Sequence, residues 1–181
     1  MQIRPLLKRI AAGDTRSFSE IVTHYQRPLF GFLGRMSLTQ AVAEEVAQES
    51  FLRAWRHLGD YDPDTADFST WLFTIARNLA LNELARPANR WETKVVGNVP
   101  EVTCDCPRPL ESIANDELKA RLLAALLQLP LAERSIVALA YVKDLDMAAI
   151  AQIEGCTVGA LKTRLHRAKL ALRQLLETSN D

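Results

Sequence analysis

The sequence predicts an all-α chain of two small helical domains joined by a flexible linker, the C-terminal one a helix-turn-helix. Three observations predict this. Apolar residues recur at helical spacing almost throughout, with no strand-like alternation and no Asn-Gly hairpin signal. That period breaks between Pro87 and Pro109, where Pro87, Gly97, Pro100, Pro107 and Pro109 punctuate the chain. Near the C-terminus, Gly155 precedes an amphipathic stretch to Leu176 with five Lys/Arg and no Asp or Glu. The whole chain balances 22 basic against 22 acidic residues, so this charge is local and points to a polyanion partner.

The elements follow in order. Asp14 is a plausible N-cap for a helix carrying Phe18, Ile21, Val22 and Tyr25. Thr39 caps the next helix, which runs to about Leu58, and Ser69 or Thr70 starts a third that ends before Pro87. Residues 1–88 thus form the first domain, 89–110 the linker and 111–181 the second domain. In the second, Leu118, Leu122, Leu123, Leu126 and Leu127 form a stripe that stops at Pro130. Another helix follows, then a short one from Asp146 to Glu154. Gly155 makes the turn, and Thr157 caps the long last helix.

Composition narrows the function. The chain has 181 residues, 48% of them apolar, with seven Gly and eight Pro, which fits a folded, helix-rich protein. No signal-peptide-like run opens it and no apolar stretch approaches the ~18–20 residues of a membrane span, so a cytoplasmic protein without membrane insertion is expected. Its three cysteines are not a disulfide framework. Cys104-Asp-Cys106 lacks a nearby His partner, so no metal site is assigned. His24, His57 and His166 are scattered, and no Walker loop, Gly-x-Ser-x-Gly or His-Glu-x-x-His motif occurs. No enzyme, catalytic residue, cofactor or small-molecule substrate is expected.

Three surfaces carry functional chemistry. On the last helix, Val158, Leu161, Leu165, Ala168, Leu172 and Leu175 share the packing face. Lys162, His166, Lys169 and Arg173 line one flank and Arg164 and Arg167 the other, a layout suited to a major groove with phosphates on both sides. On the helix from Ala43, the residues Ala43, Ala47, Phe51, Ala54, Trp55 and Leu58 form a core stripe. The opposite side mixes Val42, Glu45, Val46, Gln48, Glu49 and Leu52, which suggests a protein-docking face. The helix from Trp71 to Leu84 buries Leu72, Ile75 and Leu79 and sets Trp71, Thr74, Asn78, Leu81 and Asn82 along one flank. An aromatic beside amides can stack on an unpaired base and bond its edges. The polar loop Tyr61–Asp67 precedes it.

Together these segments resemble bacterial RNA polymerase sigma factors of the extracytoplasmic-function (ECF) group, in the sigma-70 family. Ala43-Glu-Glu-Val-Ala-Gln-Glu-Ser-Phe-Leu-Arg-Ala-Trp55 is similar to the segment that docks on the polymerase clamp helices. Phe68-Ser-Thr-Trp-Leu-Phe-Thr-Ile-Ala-Arg-Asn-Leu-Ala80 resembles the promoter-melting segment. Leu129-Pro through Glu133-Arg to Gly155–Ala168 resembles the second DNA-binding domain. The resemblance implies an alternative sigma factor that binds core RNA polymerase and promoter DNA, held inactive by an anti-sigma factor. It assigns Glu45, Gln48, Glu49 and Leu52 to core polymerase. It sets Tyr61, Phe68, Trp71, Arg77, Asn78 and Asn82 at the minus-ten element, where a loop captures an unpaired base. It sets Thr157, Lys162, Thr163, Arg164, His166, Arg167 and Lys169 at the minus-thirty-five element.

The chain departs from the family's pattern in two places. Many relatives continue the melting helix with a basic cluster, whereas Leu81-Asn-Glu-Leu-Ala-Arg86 has one Arg and one Glu. Non-specific phosphate attraction is expected to be weaker there. The Cys-x-Cys of the linker is also not a family feature. Two rival readings stand beside this one. An ordinary helix-turn-helix regulator would bind duplex DNA without polymerase, usually as a dimer on a palindrome. A metal- or thiol-dependent sensor would control the linker through Cys104 and Cys106.

Overall fold

A computed structural model describes residues 3–86 and 112–178; the predicted linker, with Cys104 and Cys106, lies outside the described residues. Among the described residues there are eight α-helices and no strand. The first unit comprises α1 (Ile3–Ala11), α2 (Ser17–Arg35), α3 (Gln40–Arg56), a 3-10 turn (Leu58–Asp60) and α4 (Phe68–Ala85). The second comprises α5 (Ser112–Gln128), α6 (Leu131–Ala140), α7 (Met147–Glu154) and α8 (Val158–Thr178).

Helix ends follow local chemistry. The Thr39 side chain accepts from the Val42 N–H, and Asp146 accepts from Ala149, satisfying donors left free at the first turns of α3 and α7. Asp14 is not an N-cap: α2 begins at Ser17, and Asp14 instead accepts from the Ser17 hydroxyl (2.8 Å) and pairs with Arg9 (2.9 Å). Those donors hold its carboxyl below the usual range, Ser17 most strongly. The α4 helix starts at Phe68, before Ser69 and Thr70, which are both buried. Starting there lets Phe68 enter the core.

The turn between α7 and α8 ends as a Schellman motif. Cys156 N–H donates to Ala151 O (3.0 Å) and Gly155 N–H to Gln152 O (3.2 Å), with Gly155 at φ +64°. A Cβ at Gly155 would meet nothing within 4 Å, so only its left-handed backbone resists substitution. Gly155→Ala is therefore expected to lower stability by about 1 kcal/mol, read from a urea midpoint at unchanged slope. No shift in the midpoint would show that the turn adopts another conformation.

The two units do not stand apart. The α7 helix packs on α4 and α6 packs on α2. One buried cluster runs from Ile21, Leu29, Phe32 and Phe73 into Ile136, Leu139, Ile150 and Leu161. A smaller core of Leu126, Leu129, Val137, Ala168 and Leu172 ties α5, α6 and α8 together. The shared cluster has a simple cause. The sequence Met147-Ala-Ala-Ile-Ala-Gln-Ile is apolar on more of its circumference than α6 and α8 can cover, so α7 also uses α4.

Several predicted core positions prove to be surface. Leu118, Leu122 and Val158 are exposed, whereas Ala125, Leu126 and Leu129 bury the α5 face. The buried stripe lies nearer the end of α5 than the leucine spacing predicts. Trp55 is also exposed and meets Phe18 edge-on at 4.9 Å between ring centres. Conversely Val46, expected outside, is buried, because α3 packs between α2 and α4 on a broad face.

Candidate nucleic-acid and protein interfaces

The basic face of α8 is built as a docking surface. The Thr157 hydroxyl accepts from the Ala160 N–H (3.2 Å), fixing the first turn. Leu161 and Ala168 are fully buried against α6 and α5, which holds the helix's rotation. Lys162, Thr163, His166, Arg167 and Lys169 consequently face solvent, with Arg164 half-buried at the edge. Among the described residues, none of Lys162, Arg164, Arg167 and Lys169 has a carboxylate partner, so their charges are free for phosphate or base edges. Arg173 leaves the flank, pairing with Glu177 at 2.8 Å. The Thr163 hydroxyl donates to Gly159 O (3.1 Å), leaving its methyl and oxygen lone pairs available.

The loop before α4 is ordered by its own polar groups. The Asp62 carboxylate accepts from the Asp64 N–H (2.9 Å) and the Thr65 hydroxyl (2.7 Å), which hold it below its usual range. Arg4 reaches across from α1 to Asp64 (3.1 Å). The Tyr61 hydroxyl donates to Ala66 O, and its ring lies 5.1 Å from Trp71 and 5.5 Å from Phe68. Phe68 itself is 2% exposed, so it is a core residue that supports Tyr61 and Trp71 and, contrary to expectation, presents no face to DNA. Tyr25 backs this cluster at 5.7 Å from Phe68. Burial first, and the Asp144 carboxylate second, push its phenol up to about 12, so it stays neutral.

The structure brings Trp71 and Asn78 together with residues that the sequence did not single out. Arg53, His57 and Asp60 join Trp71, Ile75 and Asn78 around an open pocket of about 380 Å³ between α3 and α4. Its volume is in the range of small-ligand clefts, and its amide, guanidinium and indole suit a planar polar guest. Asn82 is exposed one turn further along α4. Tyr61 and Phe68 lie behind the pocket rather than in its lining. Arg53 was missed because it reads as an ordinary exposed i+4 partner of Glu49.

The outer face of α3 carries Glu45, Gln48 and Leu52 in the open, with Leu52 40% exposed. Glu49 is half-exposed and accepts from Arg53 at 2.7 Å, a bond that keeps its carboxyl below the ordinary value. Exposed Trp55 extends the same ridge. An apolar and acidic ridge without cover fits a basic, partly apolar protein partner.

Arg77 is placed elsewhere. Its Nε and Nη2 donate to the two Glu154 carboxylate oxygens at 2.8 and 2.9 Å, across the contact between α4 and α7. The Ser135 hydroxyl donates to the same carboxylate at 2.6 Å. The Glu154 side chain is 1% exposed and that of Arg77 is 17% exposed, so this pair lies within the interface between the two units. Nothing in the order of residues signals it, because the partners are 77 positions apart. His24 and Asp144 (3.4 Å), and the Ser69 hydroxyl donating to Asp144 O (3.5 Å), bridge the two units nearby. No group of three or more His, Cys, Asp or Glu among the described residues is arranged to hold a metal.

Two family models match the chain: Sigma-70 region 2 over residues 21–91 and Sigma-70, region 4 over residues 119–172. The ECF RNA polymerase sigma factor SigW of Bacillus subtilis is 31% identical over 183 aligned residues, covering 97% of each chain. The RNA polymerase sigma-H factor of Pseudomonas aeruginosa is 32% identical, covering 97% of this chain and 94% of the relative. In fold, the chain is similar to CnrH, solved with the cytosolic domain of CnrY, at a TM-score of 0.71 and 24% identity over 97% of each chain. It is also similar to the sigma factor RpoE of Bartonella quintana, solved with the anti-sigma factor NepR. There the TM-score is 0.66 at 24% identity, over 90% of this chain and 98% of the other.

Proposed function

We propose, from the premise that this chain belongs to the ECF family of RNA polymerase sigma factors, that the closed arrangement is its idle form. Residues 1–88 act as the minus-ten and polymerase-docking half and residues 111–181 as the minus-thirty-five half. The outer face of α3 (Glu45, Gln48, Glu49, Leu52) meets core polymerase. The pocket beside Trp71, Asn78 and Asn82 receives a base from the melted strand, with Tyr61 behind Trp71. The free cations of α8 contact the upstream element. The protein performs no covalent chemistry and works beside polymerase in the cytoplasm; no helix among the described residues is long and apolar enough to cross a membrane.

One observation carries the closed-idle reading: Arg77, on the helix assigned to melting, is held by Glu154 of the helix-turn-helix. The two promoter elements are separated by ~25 base pairs, or ~85 Å at ~3.4 Å per pair. A compact chain of this length has a radius of gyration of only ~16 Å. The halves must therefore part before both elements are read. Once polymerase fixes them at promoter spacing, two weak DNA sites reinforce each other through effective concentration. An anti-sigma factor is the partner that would hold the closed form and cover the α3 ridge; the complex of RpoE with NepR supports that expectation.

The test is transcription by purified core polymerase on a promoter library, with and without the protein. Start sites that depend on it are expected. Glu49→Arg should weaken core binding and reduce them by about tenfold, since a cation replaces an acidic contact. Arg164→Ala should relax upstream-element preference by ~1–3 kcal/mol if it makes a base contact. An unstimulated polymerase, alongside sequence-specific duplex binding by the protein alone, would instead establish the ordinary helix-turn-helix regulator.

A further inference from the structure

A second groove lies at the junction of the two halves. Arg27, Pro28, Gly31 and Arg35 of α2 face Tyr141, Val142 and Lys143 at the end of α6, enclosing about 400 Å³. Its lining sets the cations Arg27, Arg35 and Lys143 beside apolar Pro28, Tyr141 and Val142. Arg35 is the informative residue. Its guanidinium lies over the Tyr141 ring at 5.5 Å, and a Cβ on Gly31 would sit 3.3 Å from its Nη1. Glycine at 31 thus makes room for Arg35 to fold back along α2 and stack beneath Tyr141. Burial pushes the Arg35 guanidinium down from its ordinary value, and no carboxylate among the described residues pairs with it, Arg27 or Lys143. The nearest acid in sequence, Asp144, faces His24. Tyr141 remains 66% exposed although it is a large aromatic. A half-buried cation without a counter-charge, beside an exposed ring in a recess, has the composition of an interface centre.

We propose that this groove receives an acidic segment of a protein partner, one whose carboxylates alternate with apolar side chains. The inference rests on the closed idle form, because α2 supplies one wall and the α6 end the other. An occupant of both walls binds only when the halves are together, and so shifts the protein toward that form. Polymerase and promoter, which need the halves apart, are not its occupants. A rigid duplex could meet the rim but has no side chain for the apolar recess, whereas a peptide fills both.

The probe is a fluorescein-labelled peptide of alternating glutamate and alanine with one central leucine, followed by anisotropy with the full-length protein. Saturable binding is expected. Arg35→Gln with Lys143→Gln should weaken it about tenfold, the sum of two partly exposed ion pairs. Gly31→Ala should also weaken it, by displacing Arg35 with every charge retained. Lys162→Gln with Arg167→Gln on α8 should leave it unchanged. Loss of binding with the α8 pair, indifference to the groove substitutions, or no saturable binding would overturn the assignment. Promoter-dependent transcription by the same wild-type preparation separates the two readings. If transcription fails, the sigma reading falls; if it stands while peptide binding ignores the groove, only the groove assignment falls.

Discussion

Glu154→Arg is expected to part the two halves of the free protein. The wild-type carboxylate accepts three hydrogen bonds, two from Arg77 and one from Ser135, at a site almost closed to water. Reversing its charge sets two cations against each other and leaves the Ser135 hydroxyl without its acceptor. Breaking one side of a buried pair typically costs ~3–5 kcal/mol, because the remaining ion stays buried and unpaired. Here the chain has an escape: opening the α4–α7 contact lets Arg77 regain water. The penalty therefore falls mainly on the balance between closed and open forms, a shift on the order of a hundredfold toward open. Small-angle scattering should register an increased radius of gyration with helix content unchanged. The double variant Arg77→Glu with Glu154→Arg restores opposite charges and should close the protein again in part. An unchanged radius in Glu154→Arg would mean that apolar burial alone joins the halves and that the ion pair is incidental. The same variant offers a functional reading. If closure idles the protein, Glu154→Arg should need less anti-sigma release and should compete better for core polymerase at equal concentration.

The contrast between what the sequence disclosed and what it did not has a physical basis. Periodicity and caps are local, so the Thr39 and Thr157 caps, the short helix near Asp146 and the Gly155 turn were legible. The α8 cations were legible because five like charges on one amphipathic helix survive any packing arrangement. Helix rotation was less so. Trp55 and Val46 exchanged inside for outside because α3 buries a face broad enough to admit several stripes. The resemblance set Phe68 at the minus-ten element, yet α4 begins one residue earlier than expected and carries its ring inward. The junction between the halves was not legible. Arg77 and Glu154 are a single arginine and a single glutamate in separate domains, and each looks like an ordinary surface charge until α7 meets α4. The same holds for Gly31, whose lack of a side chain matters only once Arg35 and Tyr141 are in place.

Arg134→Met should produce the largest loss of stability among single changes outside the two apolar cores. Arg134 is buried without a carboxylate partner among the described residues, and burial pushes its guanidinium down from its ordinary value. Its compensation is entirely backbone. Nε donates to Leu126 O (2.9 Å), and Nη2 donates to Leu127 O (2.7 Å) and Leu129 O (3.1 Å). Nη1 donates to Met36 O (3.4 Å) at the end of α2. Three of these carbonyls lie at the C-terminal end of α5, where a helix leaves acceptors free and its dipole is negative, although Leu126 O also accepts from the Leu129 N–H (3.1 Å). One planar, five-donor group thus caps α5, fixes the α5–α6 corner and ties that corner to the other half. Methionine matches the stem but removes all four bonds to carbonyls in a corner that water does not readily reach. The expected loss is ~3–4 kcal/mol from the combined unmet acceptors. For a chain of this size that is a fall of roughly 10 °C in Tm. Arg134→Lys should recover little, since one ammonium cannot span carbonyls that diverge around a helix end. Hydrogen exchange should locate the damage at the end of α5 first, because that end loses three of the Arg134 bonds while α2 loses one, the longest at 3.4 Å. A loss under about 1 kcal/mol would show that water enters the corner and replaces the guanidinium. The α5–α6 corner would then be a wet hinge, and the helix-turn-helix would owe its orientation to the packing of α8 on α6 and of α7 on α4.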